Sequence, residues 1–156
     1  MQVGVLAVGR LRAGPKRDLV EDYLTRAARS GRSLGFSAFD VIEVDGRKGG
    51  GMAAEAVLLR KTRPTGSVMV ALDERGRTLT SPKFADTLAG WRDAGHGHAT
   101  FVIGGADGLA RDFVAEADQV LSFGTMVWPH MLVRVMLAEQ LYRAMSILAG
   151  APYHRI

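Results

Sequence analysis

The 156-residue chain contains no cysteine. Without a thiol there is no disulfide framework, no thiolate metal site and no thiol redox chemistry, a composition that suits a reducing, cytoplasmic compartment. Long apolar runs are missing too: nothing approaches the roughly 20 consecutive residues that a membrane-spanning helix needs. The opening, MQVGVLAVGRL, lacks the basic leader and cleavage segment of a secretory signal, and Gly4 and Gly9 interrupt its apolar stretch. It reads as a first strand. Internal repeats, low-complexity tracts and a dividing linker are also absent, so residues 1–156 are expected to form one domain.

What remains is an ordinary globular composition with a modest basic excess, 20 Lys and Arg against 16 Asp and Glu, for a formal charge of +4. Such an excess fits either a generic basic surface or a polyanionic partner, and the predominance of arginine (Arg10, Arg12, Arg17 and Arg26 among others) leans toward planar phosphate and base recognition. Short runs rich in β-branched residues recur at Val3–Gly9, Phe39–Val44, Ser67–Asp73 and Ala99–Gly105. They predict buried strands. Between them, Lys16–Arg29, Met52–Arg63 and Ser81–Ala94 carry apolar residues at three and four spacing and predict amphipathic helices. Ser81 followed by Pro82 marks a helix start and Gly95 a stop. A short helix over Leu109–Glu116, a fifth strand at DQVLSFG and a long helix over His130–Ala149 complete the pattern. Regular alternation predicts an α/β fold, a parallel sheet with helices on both faces. The glycine-rich piece Gly46–Gly51 is expected to be the most mobile loop.

In such a sheet ligands sit beyond the carboxyl ends of the strands. That rule directs attention to ALDERG, VIGGADG and LSFGTMVWPH. The glycines of VIGGADG follow a strand, yet no Gly-Lys-Ser/Thr ending and no dinucleotide fingerprint accompanies them. Gly104, Gly105 and Gly108 either permit a tight strand-to-helix turn or, where Gly104 and Gly105 lack a Cβ, let a flat ligand lie against the backbone. The loop holding Phe123, Met126, Val127 and Trp128 is too apolar for an ordinary solvent loop. It is either covered by the fold or the wall of a pocket. Pro129 sets the first turn of the last helix and puts His130 at its amino end, where the helix dipole disfavours protonation. A neutral histidine there either accepts a proton or serves as a structural hydrogen-bonding group.

The last helix, MLVRVMLAEQLYRAMSILAG, is apolar on more than one face, and a second copy of the chain is the simplest cover for the surplus. Glu139 and Arg143 stand four apart in the order that favours an intrahelical pair. Arg134 has no such neighbour, so it either pairs across an interface or turns to an anionic ligand. The terminal GAPYHRI is unusual because termini seldom carry stacking, titrating and cationic side chains together.

VIGGADGL, LSFGTMVWPHMLVRVMLAEQLYRA and the terminal PYHR together resemble the RlmH family, small SPOUT-superfamily methyltransferases acting on N3 of a pseudouridine in large-subunit (23S) ribosomal RNA. The opening VLAVGRL, the ALDERG turn and the chain length fit as well. The resemblance implies a trefoil-knotted α/β fold, a homodimer, and S-adenosylmethionine as cofactor, with no metal and no membrane partner. It places the cofactor against Leu72, against Gly105, and along Gly124, Thr125, Met126, Val127, Trp128 and Pro129. The family commonly carries a hydroxyl residue where this chain has Gly124, and often Thr where it has Val127, so any hydroxyl contact at those two positions is absent here.

Methyl transfer to an imide nitrogen requires in-line alignment and removal of the N3 proton. His96 and His98 precede the fourth strand, at the far end of the sheet from the site, which leaves His154 or His130 to accept or relay that proton. Arg155, Arg134 and Arg143 are candidates to hold phosphates or the developing anion, and Tyr153 and Tyr142 to stack on or hydrogen-bond the target base. The tail is expected to fold back over the cofactor loop, in its own subunit or its partner's. The rival readings are a non-enzymatic RNA- or ribosome-binding module and, disfavoured by the missing fingerprint, a nucleotide-dependent oxidoreductase. A small protein with modest charge suits a preformed substrate such as the assembled ribosome.

Overall fold

The structure, a computed structural model, describes residues 1–46 and 49–154. Five strands, β1 (Gln2–Val8), β2 (Ala38–Val44), β3 (Val68–Thr78), β4 (His98–Ile103) and β5 (Gln119–Ser122), form one sheet in the order β2-β1-β4-β3-β5, every pair parallel. The helices are α1 (Pro15–Gly31), α2 (Gly51–Thr62), α3 (Ser81–Asp93), the single turn α4 (Arg111–Val114) and α5 (His130–Leu148), with a 3-10 turn at Arg32–Leu34.

Side-chain alternation sorts the core into two layers. Along β1, Val3, Val5 and Ala7 face a cluster completed by Val20 and Leu24 of α1, Phe84 and Leu88 of α3, and Leu137 and Leu141 of α5. Leu6 and Val8 face the other way, onto Leu59 of α2 and Phe113 at α4. Strands covered on both faces read as unbroken apolar runs, which is why β1 and β4 stand out in the sequence.

Three boundaries differ from expectation. The α3 cap is Thr80, whose hydroxyl accepts from the Lys83 N–H (3.3 Å), while the Ser81 hydroxyl donates instead to Gln140 Oε1 on α5 (2.8 Å). Strand β3 runs five residues beyond Asp73. Its ladder with β5 jumps between Leu72 and Arg77, so residues 73–76 leave the sheet and return. At the return Gly76 lies against the Val120 backbone, where a Cβ would come within 2.7 Å of the carbonyl. The anticipated short helix shrinks to one turn. Part of the loop expected to be mobile, Gly46–Gly51, lies outside the described residues.

Candidate active site

Because all strands run the same way, β3, β4 and β5 deliver their carboxyl ends to one edge. There the three segments separated in sequence enclose a cavity of about 610 Å³. Leu72 and the 73–75 excursion form one side, the glycine turn 104–108 a second, and the loop from Phe123 to Pro129 with His130 a third. Seven of the eight positions that the resemblance implies for a cofactor line it: Leu72, Gly105, Gly124, Met126, Val127, Trp128 and Pro129. Thr125 is exposed outside the wall.

The excursion is held by its own charges. Asp73 accepts from the Arg75 backbone N–H (2.8 Å) and from its guanidinium at Nε (2.9 Å) and Nη2 (2.8 Å), which keeps the Asp73 carboxyl below its ordinary pKa. Ser122 pins the opposite wall: its hydroxyl donates to the carbonyls of Glu74 (3.1 Å) or Gly124 (2.8 Å) and accepts from the Gly124 N–H (3.0 Å). Gly124 itself has φ +113°, a conformation few side-chain-bearing residues adopt.

The glycine turn favours the first of its two readings, a tight strand-to-helix turn. A Cβ at Gly104 would sit 2.6 Å from the Gly108 carbonyl carbon, and one at Gly105 would sit 3.2 Å from Glu55 Oε2 and 3.3 Å from Val8. The space left by the missing side chains is filled by the protein, not kept for a flat ligand. The hydrogen bond from Gly108 N to Gly105 O (3.0 Å) closes the turn. Behind it, Glu55 has its pKa raised by burial and then by Asp107, which lines the cavity.

The apolar loop is not covered by the fold. Met126, Val127 and Trp128 are 72%, 80% and 41% exposed, so they wall the cavity from the solvent side. His130 stands at the start of α5 on the cavity's rim. Its imidazole is held below the ordinary pKa by burial, then by the positive charges of Arg134 and Lys16. Each of these influences favours the neutral imidazole, the form that can accept a proton.

Arg134 is not the unpartnered cation expected. Its guanidinium, 1% exposed, pairs with Glu43 of β2 and donates to the carbonyls of Gly9 (3.1 Å) and Val8 (3.5 Å). Neither an interface nor a ligand is needed to neutralise it; it ties α5 to the ends of β1 and β2.

The described part of the tail, residues 150–154, packs on its own α5 rather than at the cavity. Tyr153 donates to Glu139 Oε1 (3.0 Å), and its ring lies 4.5 Å from that of Tyr142 and under the Arg143 guanidinium (4.9 Å). Glu139 also accepts from Arg143 at Nε (2.9 Å) and Nη2 (2.5 Å), the intrahelical pair foreseen from spacing. Burial and this carboxylate together push the Tyr153 hydroxyl well above its usual pKa. From His130 to Tyr142 is about 18 Å along the helix axis. Tyr142, Arg143 and Tyr153 thus form a separate group farther along α5, and the Nδ1 of His154, next in sequence, is buried without a hydrogen-bond partner. Arg155 lies outside the described residues.

Sequence reasoning singled out ALDERG but not the roles of Asp73, Glu74 and Arg75, nor Asp107 in the glycine turn. The signal was present: an Asp and an Arg two apart, just past a strand end, can close a local turn. Among the described residues no cluster of histidine and carboxylate groups is placed to hold a metal ion, and no helix is long and apolar enough to cross a membrane.

Comparison with known proteins agrees with this geometry. Residues 1–154 match the family model described as "Predicted SPOUT methyltransferase". The chain is 65% identical over 156 residues to ribosomal RNA large subunit methyltransferase H of Dinoroseobacter shibae, covering 100% of both chains. It is 64% identical to the protein of the same name from Roseobacter denitrificans, covering 99% of each, and 62% identical to that of Ruegeria pomeroyi, covering 100% of each.

Proposed function

Because the chain belongs to the SPOUT methyltransferase family, with relatives matched end to end, we propose that it methylates N3 of a pseudouridine in large-subunit (23S) ribosomal RNA, on the assembled ribosome in the cytoplasm. The observation that carries this reading is the cavity at the β3, β4 and β5 ends, which brings three sequence-distant segments together with a neutral histidine at its rim.

The residues present fit S-adenosylmethionine, the cofactor of this enzyme class. A volume of about 610 Å³ suits a molecule of that size. The exposed Met126, Val127 and Trp128 offer apolar surface for a planar base, the glycine turn and Gly124 offer backbone amides and carbonyls, and Glu74 and Asp107 complement a cationic ligand, Asp73 being paired with Arg75. When bound, the cofactor supplies an electrophilic methyl group.

The chain's own residues do the rest. The cavity walls fix orientation, the largest single contribution to a displacement between two bound groups. Met126, Val127 and Trp128 exclude water from the reacting atoms. His130, neutral at working pH, takes the N3 proton and leaves the nitrogen nucleophilic. The Tyr142, Arg143 and Tyr153 group lies too far away to serve the cavity of its own subunit. In this reading the enzyme is therefore a homodimer in which each tail completes the partner's site, and the exposed Leu132 of α5 belongs to the surface the second copy covers. The trefoil threading belongs to the same reading and is supported by the family match alone.

The test uses large ribosomal subunits from cells lacking this protein. Purified protein and S-adenosylmethionine are expected to add one methyl group to one pseudouridine, located by mass mapping of the rRNA. Transfer to another nucleotide would correct the substrate, and absence of transfer, with cofactor binding intact by calorimetry, would favour an RNA-binding module.

A further inference from the structure

Beyond the ends of β1 and β2 lies a second cavity, about 660 Å³, with Gly9, Arg10, Arg12, Ala13 and Arg17 on one wall and the end of β2 on the other. The segment from Arg10 to Arg17 holds four cations in eight residues. Arg10, Arg12 and Lys16 are exposed and make no ion pair among the described residues, while Arg17 pairs at the surface with Glu21 (3.0 Å). The first turn of α1 carries Lys16 and Arg17 beside a single acidic residue, Asp18, where helices usually favour acidic residues, and its Gly14 cap makes no side-chain hydrogen bond.

The carboxylates nearby do not offset this charge. Glu43 is already held by Arg134 and by the Leu11 N–H (2.7 Å), and Asp45 has a partner of its own. Beneath the surface Arg134, 1% exposed, lines an adjoining recess of about 260 Å³ with Arg10 and Arg17, and its Nε has no hydrogen-bond partner. The basic cavity also comes close to the active-site rim. A Cβ at Gly9 would lie 4.0 Å from His130 Nε2. Lys16 is near enough to His130 for its charge to disfavour the imidazolium.

We propose that Arg10, Arg12 and Lys16 form a phosphate-binding track for the RNA strand beside the target nucleotide. This rests on the rRNA methyltransferase reading. Arginine forks take phosphate oxygens in pairs, and cations spread over a loop and a helical turn match a run of phosphodiesters better than one small anion. Phosphate contacts set the register of a nucleic acid on a protein without reading its sequence. Here they would hold the strand at the cavity's mouth, an interaction made equally before and during the chemical step.

The experiment compares wild type with a triple variant, Arg10→Gln, Arg12→Gln and Lys16→Gln, on large subunits lacking the modification. The KM for subunits is expected to rise about tenfold, with S-adenosylmethionine affinity unchanged and kcat at saturating subunits near wild type. The plot of log affinity against log salt should flatten by about 2, from three lost contacts at roughly 0.7 each. Arg10→Lys with Arg12→Lys, which keeps the charge, should retain most of that slope. Arg12→Gln alone, expected to raise KM about threefold, covers misfolding of the triple variant. Unchanged KM and unchanged salt slope in an active, cofactor-binding variant overturn the track and leave the methyltransferase reading standing. A wild type that methylates no subunit overturns the parent reading, and this one with it.

Discussion

The two ends of α5 are built on opposite principles. At the amino end, His130 and the loop before it present exposed apolar side chains and a neutral imidazole around a cavity, with few internal bonds to occupy them. Toward the carboxyl end, Glu139 gathers Gln140, Arg143 and Tyr153, and the rings of Tyr142 and Tyr153 pack at a tilt beside it. One end leaves its bonding capacity open and the other closes it internally. The difference is also one of place: a helix of 19 residues, about 28 Å long, keeps its first turn and the Tyr142–Tyr153 pair from meeting at one cavity within a single subunit. In the proposed homodimer, the closed end of one copy would meet the open end of the other.

The sharpest way to break that comparison is at the open end. His130→Ala should lower kcat for methyl transfer about a hundredfold or more while S-adenosylmethionine binding persists, the effect of losing a general base. If the imidazole acts as the base, wild-type kcat/KM should rise with pH to a plateau, and the acid limb should have an apparent pKa below the ordinary histidine value of about 6.5. The sign is set by burial and by Arg134 and Lys16, all of which disfavour the charged ring. The same shift bears on folding. The unfolded chain binds more protons on this group between the two pKa values, so its contribution to stability is complete above the unfolded value and is lost as pH falls through the folded one. A flat profile for His130→Ala set against a sloping wild type would assign the limb to this residue.

One turn along, Arg134 tests whether the open end is stiffened from below. Arg134→Ala removes a buried guanidinium, its bonds to the Gly9 and Val8 carbonyls, and the partner of Glu43. A loss of about 3 kcal/mol in urea denaturation is expected, at the lower edge for a broken buried pair because Glu43 is 34% exposed and regains some water. Arg143→Ala at the closed end, where both partners are partly exposed, should cost less than about 1 kcal/mol. Equal losses would refute the contrast between the two ends.

The pattern of legibility follows the same physics. Runs such as Val3–Val8 and Ala99–Ile103 announce strands because burial on both faces admits little but apolar residues, and the apolar spacing of Val20, Leu24 and Ala27 announces the inner face of α1. Glu74–Thr78 is part of β3 but reads as a polar turn, since beyond Leu72 this stretch pairs only with β5 at the edge of the sheet. The topological rule about strand ends located the cavity, and seven positions implied by the resemblance line it. The partner of Arg134 was not readable, because Glu43 stands 91 residues away and no local spacing connects them. Nor was the resting place of the tail: residues 150–154 lie near Glu139 through tertiary contacts that periodicity does not encode. The charges of Arg10 to Arg17 were visible one by one, and only the fold places them beside His130.

A smaller effect concerns the solvent-side wall. Trp128→Ala removes a large apolar surface from the rim and should weaken S-adenosylmethionine binding about tenfold by calorimetry, with little change in stability because the ring is already 41% exposed. Gly124→Ser, which restores a hydroxyl at that position, tests the same wall from the other side. At φ +113° the added side chain strains the backbone, so a net loss of affinity is expected in spite of the new hydroxyl. A gain would mean that the contact outweighs the strain.

The smallest expected effect is the most informative about two copies acting together. Tyr153→Phe removes one hydrogen bond to Glu139, worth no more than about 1 kcal/mol at a partly exposed site. Fold and cofactor affinity should be unaffected, and the KM for ribosomal subunits should rise a few-fold as the tail loosens. Mixing His130→Ala protein with protein lacking residues 153–156 separates the alternatives. If each tail serves the partner's cavity, a mixed dimer contains one cavity with both an intact His130 and a partner tail, and activity returns to a fraction of wild type. If each tail served its own subunit, every cavity in the mixture would be defective and no activity would return.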